Sequence, residues 1–354
     1  MAASESILIY RLGSLGDTLV ALPTFRAVRR SFPTARIVAL TNIPVSPKAP
    51  SLPSILENTG LVDEAFNYPI GVRVWAVLRR LRKEIARRRF AVGINLSERR
   101  DAWKSLRDHL FLRSCGIPRI IGTPWLPRDP GRVPDRFTGL YEWEAVHLAR
   151  RVSSLGPVDL DDPASWDLAL TAAETAAAAD FLSEGGIPGD FLAVSVGTKA
   201  DVNDWTESNW TGLARGLAAR FPSLPIVAFG AGEEYARMEG CLAEWRGPKL
   251  NLCGRLPIRI TAAALARARL FIGHDSGPMH LAATMGVSCV GIFSARNRPG
   301  RWYPRGRRNS ILYRQTPCFG CQLAECPQFD KMCIRAIGVD EVIEAATNYL
   351  RTWN

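Results

Sequence analysis

The strongest constraint on the fold is an alternation that runs twice along the chain. A short apolar run is followed by a glycine-bearing turn and then by a stretch of helical periodicity. Ser6-Ile7-Leu8-Ile9-Tyr10-Arg11 reads as a buried parallel strand, and Gly13-Ser14-Leu15-Gly16-Asp17 as the turn. Thr18–Arg30 reads as a helix, with Leu19, Leu22, Phe25, Ala27 and Val28 apolar, and a second strand, Arg36–Thr41, closes a βαβ unit. Apolar runs at Ala91–Leu96 and Arg119–Gly122 extend the same sheet. Gly122–Gly139, with Pro124, Pro127, Pro130, Gly131 and Pro134, reads as a loop, and Tyr141–Ser154 as a helix.

After an acidic, proline-bounded linker at Gly156–Pro163 the alternation restarts. Strands are expected at Phe191–Val196, Pro225–Gly230, Leu270–Gly273 and Ser288–Phe293. Helices are expected over Glu207–Arg220, Glu233–Trp245, Ile260–Ala268, Pro278–Met285 and Asp340–Leu350. The pattern predicts an α/β fold of two Rossmann-like domains, 1–160 and 161–336, with a C-terminal helix in 337–354. The two would face each other across a cleft at the carboxyl ends of their sheets, where ligands of open α/β folds bind.

Composition narrows the class and the partner. With 354 residues, 47% hydrophobic and 22% charged, the chain is neither disordered nor a disulfide-dense miniprotein. No apolar run has the length of a membrane span, and Met1–Ser6 has neither a basic n-region nor an apolar h-region. A cytoplasmic globular protein is therefore expected. The 45 Lys+Arg against 34 Asp+Glu leave a formal charge of +11, which points to an anionic surface, ligand or polymer. Much of the excess lies in Arg79–Arg89 and in Arg99, Arg100, Lys104, Arg107 and Arg113. Two readings stay open: a solvated helix face, or electrostatic docking to an anionic leaflet or a phosphorylated substrate. No nucleic-acid-binding motif accompanies the charge, so no nucleic acid is expected as partner.

The sharpest motif is His274-Asp275-Ser276-Gly277-Pro278-Met279-His280-Leu281-Ala282-Ala283. A strand ends at Gly273 and a helix must begin near Pro278, because proline suits the first helical position. Asp275 or Ser276 can cap that helix, and Gly277 permits close approach. Free amides at such a helix end suit a diphosphate, with His280 adding a donor; an ordinary capped helix with a packed histidine is the plainer reading. In the amino-terminal turn, Asp17 falls in the first helical turn at the sheet's carboxyl edge. An ionised carboxylate there can take a proton from an attacking hydroxyl, or simply stabilise the helix end. Gly13-x-x-Gly16 lacks the Gly-x-Gly-x-x-Gly spacing of dinucleotide folds, which argues against a nicotinamide enzyme.

Leu12-Gly13-Ser14-Leu15-Gly16-Asp17 with Leu22-Pro23, followed in order by Asp275-Ser276-Gly277-Pro278-Met279-His280-Leu281-Ala282-Ala283, closely resembles the ADP-heptose:lipopolysaccharide heptosyltransferases of glycosyltransferase family 9. The resemblance covers nearly the whole chain and implies the GT-B fold. It also implies inverting transfer of a heptose from ADP-heptose to a hydroxyl of lipopolysaccharide core or a related glycan. Asp17 would be the base, and Gly16 together with the residues from Asp275 to His280 would bind the donor. No divalent cation or other cofactor is required for the chemistry. The implied partners are a nucleotide diphosphate sugar, an anionic glycolipid or glycan acceptor, and the inner membrane face at the periphery of a cytoplasmic enzyme. A nucleotide-sugar-binding protein without transfer, or an epimerase using His274 and His280, is the alternative of another class.

Other positions follow the resemblance less closely. The family usually carries a Lys shortly before a Trp, whereas Trp205 here follows Asn203 and Asp204; Thr198 and Lys199 are the nearby candidates for the phosphate. Glu233 and Glu234 resemble the position that hydrogen-bonds the donor ribose, or form an acidic helix start. The loop Phe293–Pro304 offers Arg296, Arg298, Arg301 and Trp302 as sugar contacts or as plain structure. Cys318-x2-Cys321-x4-Cys326-x6-Cys333 leaves three readings: a structural zinc or iron, reduced thiols, or disulfides. Some autotransporter heptosyltransferases similar to this family hold iron with cysteines, which adds to the metal reading. Cys115, Cys241, Cys253 and Cys289 read as core residues.

Overall fold

The structure, a computed structural model, describes residues 5–43, 49–69, 74–98, 102–123 and 133–351. Arg99, Arg100 and the loop residues Pro124, Pro127, Pro130 and Gly131 lie outside the described residues. The chain divides into two units. The first comprises the described parts of Met1–Pro134 with Glu142–Ala169, and the second Asp135–Tyr141 with Leu170–Asn354.

The first unit contains β1 (Ser6–Tyr10), α1 (Leu15–Val20), α2 (Leu22–Ser31), β2 (Arg36–Asn42), α3 (Leu52–Leu56) and β3 (Glu64–Tyr68). It continues with α4 (Trp75–Arg87), β4 (Val92–Asn95), α5 (Ala102–Ser114), β5 (Arg119–Ile121) and α6 (Glu144–Arg151). Its strands lie in the order β3-β2-β1-β4-β5, all parallel. Ile7, Leu8 and Ile9 are wholly buried, as a strand covered on both faces requires. On one face Leu8, Tyr10, Val38 and Leu40 pack with Leu81 and Ile85 of α4 and with Leu112 and Cys115. Each such aliphatic side chain contributes about 1.5–3 kcal/mol on burial.

The helix expected over Thr18–Arg30 is two helices, and it starts earlier. Ser14 and Asp17 form a capping box that lets α1 begin at Leu15. Pro23 lacks an N–H, so it stands in the first turn of α2, where that loss costs nothing. The segment after α6 folds back onto this unit. Ser31 Oγ donates to the Leu155 carbonyl, and Trp166, buried in a 3₁₀ turn at Pro163–Trp166, stacks on Trp143. The segment as far as Ala169 is thus grouped with the first unit.

The second unit contains α7 (Ala172–Glu184), β6 (Phe191–Ser195), α8 (Glu207–Arg220), β7 (Ile226–Ala228), α9 (Tyr235–Cys241) and β8 (Lys249–Asn251). Then come α10 (Ile258–Leu265), β9 (Ala268–His274), α11 (Gly277–Thr284), β10 (Cys289–Phe293), β11 (Ser310–Tyr313), α12 (Met332–Arg335) and α13 (Val339–Leu350). Its six-stranded parallel sheet has the order β11-β10-β9-β6-β7-β8. The C-terminal helix α13 belongs to this unit. Val342, Ile343, Ala346 and Leu350 join Trp210, Leu213 and Leu217 of α8 in one core, and Trp205 Nε1 donates to the Ile337 carbonyl at 2.8 Å.

Both sheets are wound outward from a central pair, β1/β4 in the first unit and β6/β9 in the second. At such a pair the connections diverge to opposite sides and leave the carboxyl ends of the two strands uncovered. That topological position selects the loops after β1, β4, β6 and β9, and the candidate residues lie at those after β1, β6 and β9.

Candidate active site

The loop after β1 leads into α1, whose first turn holds Asp17. Arg11 ends the strand with a side chain only 1% exposed; its guanidinium donates to the carbonyls of Leu96 (2.8 Å) and of Asp17 (2.7 Å). The same Nη2 lies 3.7 Å from Asp17 Oδ1. Asp17 Oδ2 accepts from the Ser14 amide at 2.8 Å and from Ser14 Oγ at 3.0 Å, and Asn42 Oδ1 receives the Gly13 amide at 2.7 Å. Gly13, at φ +139°, lies directly beneath the carboxylate: a Cβ there would stand 2.2 Å from that of Asp17. Asp17 thus does the capping work of the plainer reading, and its side chain remains 23% exposed at the carboxyl edge. The sequence did not single out Arg11 or Asn42. A charged residue closing a strand carries no local sign that it turns inward.

The loop after β9 leads into a helix that begins at Gly277, and Ser276 Oγ is buried there without a hydrogen-bond partner. Ser276 is the extended N-cap of α11, with Pro278 in the first turn. The amides of Gly277 and Met279 precede the first intrahelical donor, His280 N, which bonds the Ser276 carbonyl at 3.3 Å, and they point outward from the helix end. Asp275 does not cap this helix through its side chain. Its Oδ2 accepts from Asn297 Nδ2 at 2.8 Å and its Oδ1 lies 3.6 Å from His280 Nε2. His280 meets Trp302 edge-on, with centroids 6.2 Å apart. The loop after β10 is therefore tied to the helix terminus through Asn297 and Trp302.

The loop after β6 carries Thr198 and Lys199. Thr198 Oγ1 donates to the Ala200 carbonyl at 3.2 Å, and Lys199 is exposed. Of the two neighbouring acids, Glu233 is exposed and Glu234 is drawn in. The Glu234 carboxylate lies against two glycines: a Cβ on Gly197 or on Gly230 would fall within 2.2 Å of it. It also accepts the Ala231 amide at 3.0 Å. Burial, with the Glu233 charge nearby, raises its pKa above the usual carboxylate value.

His274, the last residue of β9, is wholly buried. Its Nε2 accepts the Trp205 amide at 3.1 Å, so the ring proton sits on Nδ1, which faces the Gly197 backbone without a hydrogen bond of standard geometry. Trp210 packs on it edge-on. His274 is thus a buried structural histidine whose Nε2 ties the loop after β6 to β9; it presents no acid or base to an epimerase. Burial pushes its pKa from 6.5 down to about 4. The unfolded chain therefore takes up a proton near 6.5 and the folded one only near 4. Stability from the neutral ring is complete above 6.5 and is lost as pH falls toward 4, about 3 kcal/mol in all. Urea unfolding across this window should show that loss in the wild type and a flatter curve in His274→Gln. Parallel curves would refute the assignment.

The four clustered cysteines are free thiols, with Cys333 buried and Cys318, Cys321 and Cys326 half-buried. Among the described residues no group of three or more His, Cys, Asp or Glu could hold a metal ion as placed, so the thiols do not fit a zinc or iron site in this geometry. Their segment has another visible role. Gly320 N donates to the Ala295 carbonyl at 2.7 Å, Val202 N to the Ala324 carbonyl at 3.0 Å, and Arg296 Nε to the Leu323 carbonyl at 2.6 Å. The loops after β6 and β10 are both braced by it.

The family model for glycosyltransferase family 9 (heptosyltransferase) matches residues 78–331, most of the chain. The chain belongs to glycosyltransferase family 9. Lipooligosaccharide heptosyltransferase 2 of Campylobacter jejuni is 31% identical over 134 residues, which is 36% of this chain and only 41% of that protein. Lipopolysaccharide heptosyltransferase 1 of Pseudomonas aeruginosa is 25% identical over 347 residues, 90% of this chain and 87% of that one. Among solved structures, the family 9 transferase of Veillonella parvula superposes with a TM-score of 0.71 at 20% identity, covering 99% of both chains. The ADP-heptose lipopolysaccharide heptosyltransferase II of E. coli gives 0.65 at 16%, covering 98% and 99%. The fold is accordingly GT-B, built of two Rossmann-like units. Against the family pattern, the residue before Trp205 has been put to structural use: Asp204 pairs with Arg237 at 2.7 Å, and Lys331 reaches Asp201 at 2.8 Å.

Proposed function

We propose that this member of the family is an inverting glycosyltransferase that moves a heptose from ADP-heptose to a hydroxyl of lipopolysaccharide core or a related surface glycan. The observation that carries the reading is the terminus of α11. It is a proline-started helix end with free amides at the carboxyl end of β9, the strand next to β6, and Glu234 is drawn in against Gly197 in the loop after β6. In this reading the amides of Gly277 and Met279, His280 and Lys199 receive the donor diphosphate, and Glu234 takes the ribose hydroxyls. Thr198 and Asp275 shape the loops around them.

Asp17 removes the proton from the acceptor hydroxyl as its oxygen attacks the anomeric carbon. A C–O bond forms on one face while the bond to the diphosphate oxygen breaks on the other. ADP leaves with the electron pair, and the configuration inverts. Negative charge growing on the diphosphate meets the positive end of α11, which is where a helix dipole stabilises it. The chemistry assigns no step to a metal, and the reaction belongs in the cytoplasm.

The test is equilibrium binding of ADP-, GDP- and UDP-sugars to the purified protein. Preference for the ADP-sugar supports the reading. Equal binding of all three, or of none, contradicts the donor assignment.

A further inference from the structure

The first unit carries a surface that the chemistry above does not use. Trp75 and Trp103, at the starts of α4 and α5, are 78% and 80% exposed, and Val74 and Leu110 are 59% and 57% exposed. Large apolar side chains left this open are unusual on a soluble surface. The two helices pack on the same face of the sheet, since Leu81 and Ile85 share a core with Leu112 and Cys115, and Arg82 Nε donates to the Ser114 carbonyl at 2.8 Å. Both follow strands of a parallel sheet, so both begin at its carboxyl edge, which puts the two indoles at the same end of the pair. Leu110 follows Trp103 by two helical turns, on the same side of α5.

Charge accompanies these residues. Over Trp75–Arg87 five basic residues face one acid, Glu84, which Arg87 and Arg88 already engage. Trp75, Arg79 and Lys83 recur every fourth residue and form one exposed stripe. The acid of α5, Asp108, is buried and paired with Arg107 at 2.8 Å.

We propose that the outer face of the α4–α5 pair docks onto an anionic phospholipid bilayer, its indoles in the headgroup layer and its cations over the lipid phosphates. Indoles prefer the boundary between headgroup and acyl chain, and each cation near such a surface adds about 1 kcal/mol of attraction. Nucleic acid would use the charge but leaves the exposed Val74 and Leu110 and the edge placement of the indoles without a role. The docking deepens the transferase reading, since the edge it turns to the membrane also carries Asp17, and it rests on that reading for this consequence alone.

Co-sedimentation with phosphatidylcholine vesicles, with and without phosphatidylglycerol, tests it. The full-length protein should pellet with the anionic vesicles and be released by salt. The triple variant Arg79→Gln/Arg80→Gln/Lys83→Gln should bind them roughly 100-fold more weakly, at about fivefold per charge. Trp75→Ser/Trp103→Ser should lose about tenfold or more while keeping its salt sensitivity. ADP-sugar binding, measured on the same samples, should be unchanged in every variant. Equal pelleting of wild type and both variants, or binding of RNA with no binding of vesicles, would overturn the docking surface. Loss of sugar-nucleotide binding in the wild type would instead overturn the transferase reading, leaving the vesicle result to stand by itself.

Discussion

Asp17→Asn should lower kcat by about 10²–10⁴-fold with donor affinity unchanged, because general-base removal of the acceptor proton is worth that much in a displacement of this kind. Asparagine is the informative replacement. Its side-chain oxygen can still accept the Ser14 amide that Asp17 Oδ2 accepts at 2.8 Å, so the start of α1 keeps its cap. Asp17→Ala also loses the cap, at about 1 kcal/mol of stability, and mixes two effects. Gly13→Ala offers a second route to the same end. The added methyl group would meet the Asp17 side chain at 2.2 Å and must push it from its position above Arg11. Single-turnover rates with saturating donor separate the outcomes. Wild-type rates in Asp17→Asn would remove the carboxylate from the chemistry and leave it as a helix cap.

Glu234→Ala and Gly197→Ala should each raise the donor dissociation constant by roughly 10–100-fold, the worth of charge-assisted hydrogen bonds to the ribose hydroxyls. The two effects should not add. A Cβ on Gly197 would lie 2.0 Å from Glu234 Oε1, so Gly197→Ala acts by displacing that carboxylate. Once Glu234 is alanine there is nothing left to displace, and the double variant should bind like Glu234→Ala alone. Titration calorimetry with ADP on the four proteins reads this directly. Full additivity would show that Gly197 acts on the donor by some other path.

The legible parts of this chain are those where local chemistry and tertiary demand agree. β1, β6, β9 and β10 are covered on both faces, so their apolar runs announce them; α8 is found with the bounds expected, Glu207–Arg220. The terminus of α11 was legible because Ser276, Gly277 and Pro278 each favour the backbone found there. By contrast, β3, β8 and β11 went unread. All three are edge strands: β3 and β8 carry no apolar run, and the short β11 is only half-buried along its length. The alanine-rich α7 also went unread, although Thr171 and Glu174 form a capping box at its start. Small residues give little amphipathic contrast, and its packing against α10 depends on Arg259 reaching Glu174 at 2.5 Å from a distant part of the chain.

The site shows the same division. Asp17 and the residues from Asp275 to His280 are contiguous in sequence with the turns that position them, so they could be nominated. Their supports could not. Arg11 beneath Asp17, Asn297 on Asp275 and the Trp205 amide on His274 are joined by long-range hydrogen bonds that leave no periodic trace. Glu233 and Glu234 were nominated as a pair, but two glycines from separate loops admit only Glu234. The structure also separates His274 from the chemistry, since a fully buried ring with an occupied Nε2 serves the loop rather than a substrate.

The account turns on heptosyl transfer with inversion, and ¹H NMR of a single reaction tests it most directly. Purified enzyme, ADP-heptose and a soluble inner-core oligosaccharide should give ADP and one new glycoside in equal amounts, its anomeric configuration opposite to that of the donor. Retained configuration, or an isomer of the donor formed without any acceptor, would contradict it.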